Sequence, residues 1–256
     1  MTKPPPAADV HWQALLVGVA SNAHGDNPGF VQSLNSQAEF ARALERNMPG
    51  LGDDDLVVLP EPRHAHEVTE AIALLNEAHD KDGAAGLVRP GLLFYYCGHG
   101  MDADGRLYLS MTETLDNDVH RRRTGLALSD VLDTMRATDF KRPRVVLILD
   151  CCFAGLGCEE PAVRRAHLLM AVGPGVLATH DPDSTGPTHF TDALVELMCE
   201  GDPELGPWID LETAYRWLEP RLVTRYGEER RPHLYPANGS GAIVLGRNRA
   251  YSGPRS

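Results

Sequence analysis

Arg144-Val145-Val146-Leu147-Ile148-Leu149-Asp150-Cys151-Cys152 is the stretch that decides the fold. Its five consecutive apolar residues, three of them β-branched, leave no face for water, and the run is too short for an ordinary helix. It predicts a strand buried on both sides, as found in parallel sheets covered by helices. Upstream, residues 11–20 (HWQALLVGVA), 56–60 and 91–97 (GLLFYYC) read as strands of the same kind. Between them, residues 33–44 and 67–79 have the apolar spacing of helices, and a short run at 106–110 precedes a helix over 128–137. Downstream, the pattern predicts strands at 175–180 and 241–245 and helices at 189–199 and 211–223. Residues 156–174 read as a surface loop running into a short helix. Strands alternating with helices imply an α/β/α sandwich around a mostly parallel sheet of about six strands.

The 256 residues suit one domain, spanning 11–247, between a Pro-rich tail (1–10) and a Gly/Pro/Arg/Ser-rich tail (248–256). A net charge of −12 excludes a phosphate-binding surface and predicts no nucleic-acid partner. The run Arg121-Arg122-Arg123 is too short to change that and reads as a solvated loop. MTKPPPAADV has no apolar stretch behind its positive charge, and nothing downstream approaches a membrane span, so a cytoplasmic protein is expected. In that reducing setting Cys97, Cys151, Cys152, Cys158 and Cys199 are expected as free thiols.

Chemistry concentrates just beyond strand ends, where loops present side chains without breaking the ladder. One such end reads Tyr95-Tyr96-Cys97-Gly98-His99-Gly100, and another Asp150-Cys151-Cys152-Phe153-Ala154-Gly155. The first offers a base flanked by glycines, the second a thiol. An imidazole beside a thiol favours the thiolate and later returns a proton to a leaving amine. Strand parity separates the adjacent cysteines: Asp150 and Cys152 share a face, and Cys151 points the other way into packing. Backbone N–H groups at Gly100 and Cys152 are candidates for holding an oxyanion.

YYCGHG followed by DCCFAG, with the cysteine 53 positions after the histidine, resembles the caspase-like superfamily. GRLYLS, TGLALSDVL and HFTDALVEL extend the likeness from residue 14 to 245. The Cys-x-x-Gly form, with an acid two positions before the nucleophile, resembles metacaspases and bacterial caspase-like proteases. That resemblance implies a cysteine endopeptidase with His99 and Cys152 as its dyad and a protein as substrate. It also implies a pocket in which Asp150 receives Arg or Lys before the cut, while the residue read by itself is equally a strand-end carboxylate satisfied by backbone N–H groups. Where relatives carry Asn-Asp at the start of the first helix, this chain has Ser36-Gln37, a departure that bears on the pocket. Bacterial relatives often act on a partner in regulated or defensive responses, which implies a regulatory or activating partner protein.

Some metacaspases are activated by calcium, but Asp53-Asp54-Asp55 and Asp102-Ala103-Asp104 match no complete loop motif. They read as solvated acidic turns, and no cofactor is predicted. Arg164-Arg165 would suit self-cleavage by a basic-selective enzyme. Three other readings compete with the endopeptidase reading. A metal site on Cys97, His99, Cys151, Cys152 and Cys158 fits poorly, because adjacent cysteines at a strand end do not form knuckle turns. Nucleotide binding lacks its glycine-rich loops. An inactive caspase-like scaffold is the remaining alternative.

Overall fold

A computed structural model describes residues 10–23, 30–83, 89–115, 117, 119–136, 144–173, 185–237 and 243–253. In chain order its elements begin β1 (Val10–Gly18), α1 (Gln32–Asn47), β2 (Leu51–Pro60), α2 (Ala65–Gly83) and β3 (Arg89–Gly98). A small antiparallel set follows, with β4 (Gly100–Ala103), β5 (Arg106–Leu109), α3 (Arg121–Thr124), β6 (Leu126–Ala127) and α4 (Leu128–Arg136). The second half carries β7 (Arg144–Cys151), β8 (His167–Met170), α5 (His189–Glu200), β9 (Trp208–Asp210), α6 (Leu211–Tyr226), β10 (His233–Tyr235) and β11 (Val244–Arg247).

The central sheet has six strands in the order β10-β8-β7-β3-β1-β2. Every pairing is parallel except that of β10 with β8. Alternation along each strand divides its side chains between two cores. Trp12, Leu16, Leu93, Tyr95, Val146 and Ile148 pack with Phe40 and Leu44 of α1, Leu194 of α5 and Leu218 of α6. On the other face Leu15, Val17, Phe94, Leu147 and Leu149 pack with Val68 and Ile72 of α2 and Val131 of α4. Each such side chain taken out of water contributes about 1.5–3 kcal/mol before entropy is set against it. This double burial is why the deciding strand shows no polar alternation.

Three expectations change. Residues 156–174 are not mainly a surface loop: short 3-10 turns over Ala154–Glu159 and Pro161–Arg165 lead into β8, a fully buried strand beside β7. The last strand, β11, joins β9 in a separate pair, and the sixth place in the sheet goes to β10, whose three residues carry no pattern of their own. Asp53, Asp54 and Asp55 fall within the bounds of edge strand β2, in a bulge where the register with β1 jumps from Trp12–Leu51 to Ala14–Leu56. The strand expected at 175–180 lies outside the described residues. Arg121 to Arg123 form one helical turn, α3, in which Arg122 pairs with Asp104. Packing also continues past Arg247, since the buried Asn248 amide donates to the carbonyls of Asp202, Leu205 and Gly206.

Candidate active site

Strands β3 and β7 are adjacent and parallel, with Cys97 opposite Asp150 and Gly98 opposite Cys151. His99 and Cys152 are the next residues of the two chains. Both strands stop there, β3 at Gly98 and β7 at Cys151, so the histidine and the cysteine leave the sheet side by side at its C-terminal edge.

The two tyrosines before His99 serve the two faces. The Tyr96 hydroxyl donates to the carbonyls of His99 (3.0 Å) and Ser110 (2.8 Å), and the Ser110 N–H also donates to His99 O (2.9 Å). These bonds fix the backbone that carries the imidazole. They require a glycine at 98, where a Cβ would lie 2.5 Å from the Tyr96 hydroxyl oxygen. Phe30 flanks the imidazole, ring centroids 5.7 Å apart. Gly100 meets the cysteine loop, and a Cβ there would stand 2.0 Å from the Cys152 carbonyl oxygen. His99 and Cys152 are both half-buried. After Cys152 the chain turns sharply, with Phe153 in the left-handed region at φ 56°.

Cys151 is buried among apolar side chains, and burial pushes its thiol well above the ordinary range. Cys97 is buried on the opposite face, and its thiol is raised for the same reason. Both stay protonated and inert. Cys158 is half-buried against Met170, Sγ to Sδ 3.6 Å. All five cysteines are free thiols. Among the described residues no group of three or more His, Cys, Asp or Glu side chains is arranged to hold a metal ion. Asp102 accepts from the Gly105 N–H, and Asp55 accepts from the Gly52 N–H and meets His11 at 2.6 Å.

Asp150 is only 3% exposed, on the α1/α5 side of the sheet. Its Oδ2 accepts from the Thr188 hydroxyl and, at 2.6 Å, from the Thr191 hydroxyl. Each donor is backed by another: Ser36 donates to Thr188 Oγ1 (3.4 Å), and Tyr95 meets Thr191 Oγ1 at 2.8 Å. Thr188 also caps α5 by accepting from the Thr191 N–H, while its own N–H donates to Ser36 Oγ (2.9 Å). Burial raises the Asp150 carboxyl above its ordinary range, opposed by the bonds from Thr188, Thr191 and Cys97 and by the charge of Arg230. Ser36 thus stands one hydroxyl away from the carboxylate. Gln37 turns elsewhere, donating to Leu16 O at 2.7 Å. Arg164 and Arg165 are exposed at the end of the second 3-10 turn.

Sequence reasoning missed Thr188, Thr191, Tyr95 and Arg230. Thr188 carried one signal, as an N-cap residue type directly before the apolar spacing of a helix. Nothing in the sequence relates either threonine to Asp150, 38 or more positions away.

This arrangement is a caspase-like fold: six mostly parallel strands between helices, with histidine and cysteine at the ends of neighbouring strands. Among solved structures, caspase-1 from Spodoptera frugiperda matches with a TM-score of 0.65 at 14% identity, covering 95% of this chain and 92% of that one. A structure described as pro-sf-caspase-1 matches with a TM-score of 0.58 at 12% identity, over 89% and 91% of the two chains. No family model and no curated protein matches the sequence. Among the described residues no helix is long and apolar enough to cross a membrane.

Proposed function

We propose that the chain is a cysteine endopeptidase in which Cys152 is the nucleophile and His99 its base. The observation that carries this reading is the β3/β7 register, which sets a half-buried imidazole and a half-buried thiol at adjoining strand ends. In the reaction, His99 takes the thiol proton, and the sulfur adds to the carbonyl carbon of the scissile bond. The oxyanion is held by the N–H groups of Cys152 and Gly100, a pairing supported by the close approach of Gly100 to the cysteine loop. Collapse of the intermediate expels the amine with the proton from His99, and water then releases the acyl group and restores the thiol.

The substrate is a protein. On the family resemblance, Asp150 sits at the base of the pocket for the residue before the cut, and Arg or Lys is preferred there. The enzyme belongs in the cytoplasm within a regulated or defensive system, where a partner protein governs its activity. The resemblance of DCCFAG to the metacaspase form supports the pocket reading, and free thiols suit a reducing compartment.

The test is a thiol-directed peptide probe together with a reporter panel ending in Arg, Lys, Leu or Asp, run with and without calcium. Labelling of wild type, lost in Cys152→Ala, with Arg and Lys reporters cut fastest, is the expected result. An unlabelled wild type with no turnover leaves the inactive scaffold. Faster cleavage of the Leu or Asp reporter would remove the pocket role of Asp150.

A further inference from the structure

The site holds a cation that neither motif contains. Strand register places it. Leu149 of β7 pairs with Met170 of β8, and Met170 pairs with His233 of β10. β10 runs opposite to β7 and β8, so chain positions before His233 lie beyond the same sheet edge as positions after Leu149. Arg230 precedes His233 by three residues, and Cys152 follows Leu149 by three. Both therefore lie off the C-terminal edge of the sheet, on chains two strand places apart with β8 between them. Arg230 ends a short 3-10 turn, Glu228–Arg230, whose last N–H donates to Gly227 O (3.0 Å), and its side chain is half-buried.

The charged and titratable groups about this point come from several elements. Asp150 and Cys151 lie on the cysteine's own strand, Tyr96 and His99 on β3 and just beyond it, and Tyr226 and Glu229 precede the arginine. Asp150 and Cys152 both act electrostatically on Arg230, as do Glu229 and Tyr226. Tyr96 and Cys151 are held neutral by burial. A thiolate at Cys152 thus forms beside a buried acid, and Arg230 is the cation that answers both.

Resting on the reading of Cys152 as the reactive thiol, we propose that the Arg230 guanidinium is a positioning residue of this site, supplying the positive charge that balances Asp150 and favours the Cys152 thiolate. An opposite charge close by favours the ionised form of an acid, and a desolvated site strengthens the effect. His99 then need not ionise the thiol alone.

The test reads the thiol directly. In full-length protein carrying Cys158→Ser and Cys199→Ser, Cys97 and Cys151 are buried, and iodoacetamide reports on Cys152. Alkylation rate is followed from pH 5 to 9.5 by mass spectrometry for the Arg230 parent, Arg230→Gln and Arg230→Lys, with near-ultraviolet circular dichroism as the check of folding. Arg230→Gln is expected to be alkylated roughly tenfold more slowly at pH 6 and to converge with its parent at high pH. Arg230→Lys is expected to stay within about twofold of the parent, because it keeps the charge. Superimposed profiles for the parent and Arg230→Gln would overturn the proposal, as would equal slowing by Gln and Lys, which would assign the effect to packing. Should Arg230→Gln lose its folded spectrum, Arg230→Met is compared with Arg230→Lys by the same criterion. If Cys152 in the unsubstituted protein reacts no faster than Cys158 or Cys199, the protease reading fails and not only this inference.

Discussion

At the scale of single residues, the site is built on opposed demands for charge. Asp150 keeps a carboxyl where burial disfavours its ionised form, while Thr188, Thr191, Cys97 and Arg230 favour it, and burial is the larger effect. A carboxyl raised in the folded state binds its proton more tightly there than in the unfolded chain. Its contribution to stability is therefore greatest below the ordinary carboxylate value of about 3.9 and is lost as pH rises through the folded value. Asp150→Asn removes that titration. The difference in urea midpoint between wild type and Asp150→Asn should move in favour of the variant as pH rises above about 4. Parallel curves from pH 3.5 to 7.5 would show that the surrounding donors fully offset the burial. The residues of this network also mark what could be read from the sequence. The strand-end positions of His99, Gly100 and Cys152 were legible because local glycines and the close of apolar runs announce them, and the burial of Cys151 because parity sets it. Arg230 and the two threonines were not, because their roles arise only where distant strands and helices meet.

At the scale of elements, legibility followed length. β1, β3 and β7 are buried on both faces over seven consecutive residues or more and stand out as apolar runs. β8 and β10, with four and three residues, cannot show a period, and each is a strand only because its neighbour supplies the partner. The junction between β3 and β7 has the tightest tolerance. Gly100→Ala would force a Cβ to 2.0 Å from the Cys152 carbonyl and separate the two strand ends. We expect about 1–3 kcal/mol of destabilisation. Reporter cleavage should fall at least tenfold, since small misplacements at a reacting centre are costly. A Gly100→Ala variant with wild-type kcat/KM would show that the close approach does not serve the reaction.

At the scale of the whole molecule, the sheet has two edges to protect. β10 closes one with three residues. The other, β2, is ten residues long and half-exposed, the kind of edge that recruits further strands unless charge prevents it. Asp53 and Asp54 project from it exposed, while Asp55 is tied to His11. Their service to the molecule is repulsion along an open ladder, which a net charge of −12 reinforces. Replacing both, Asp53→Val with Asp54→Val, should make the light-scattering mass climb with concentration beyond that of wild type. Equal masses for the two proteins would place the protection elsewhere.

The site draws Phe30, His99, Cys152, Thr188 and Arg230 from five well-separated parts of the chain, and parallel pairing gives none of them a local route to one another. Non-local contacts of this sort form late and together. During synthesis, Cys152 leaves the ribosome as an ordinary cysteine, with the helix that braces Asp150 and the arginine beyond it still to be made. The order in which the polypeptide is assembled thus acts as a clock, withholding the assembled strand-end arrangement from the nascent chain until its C-terminal third has joined the sheet.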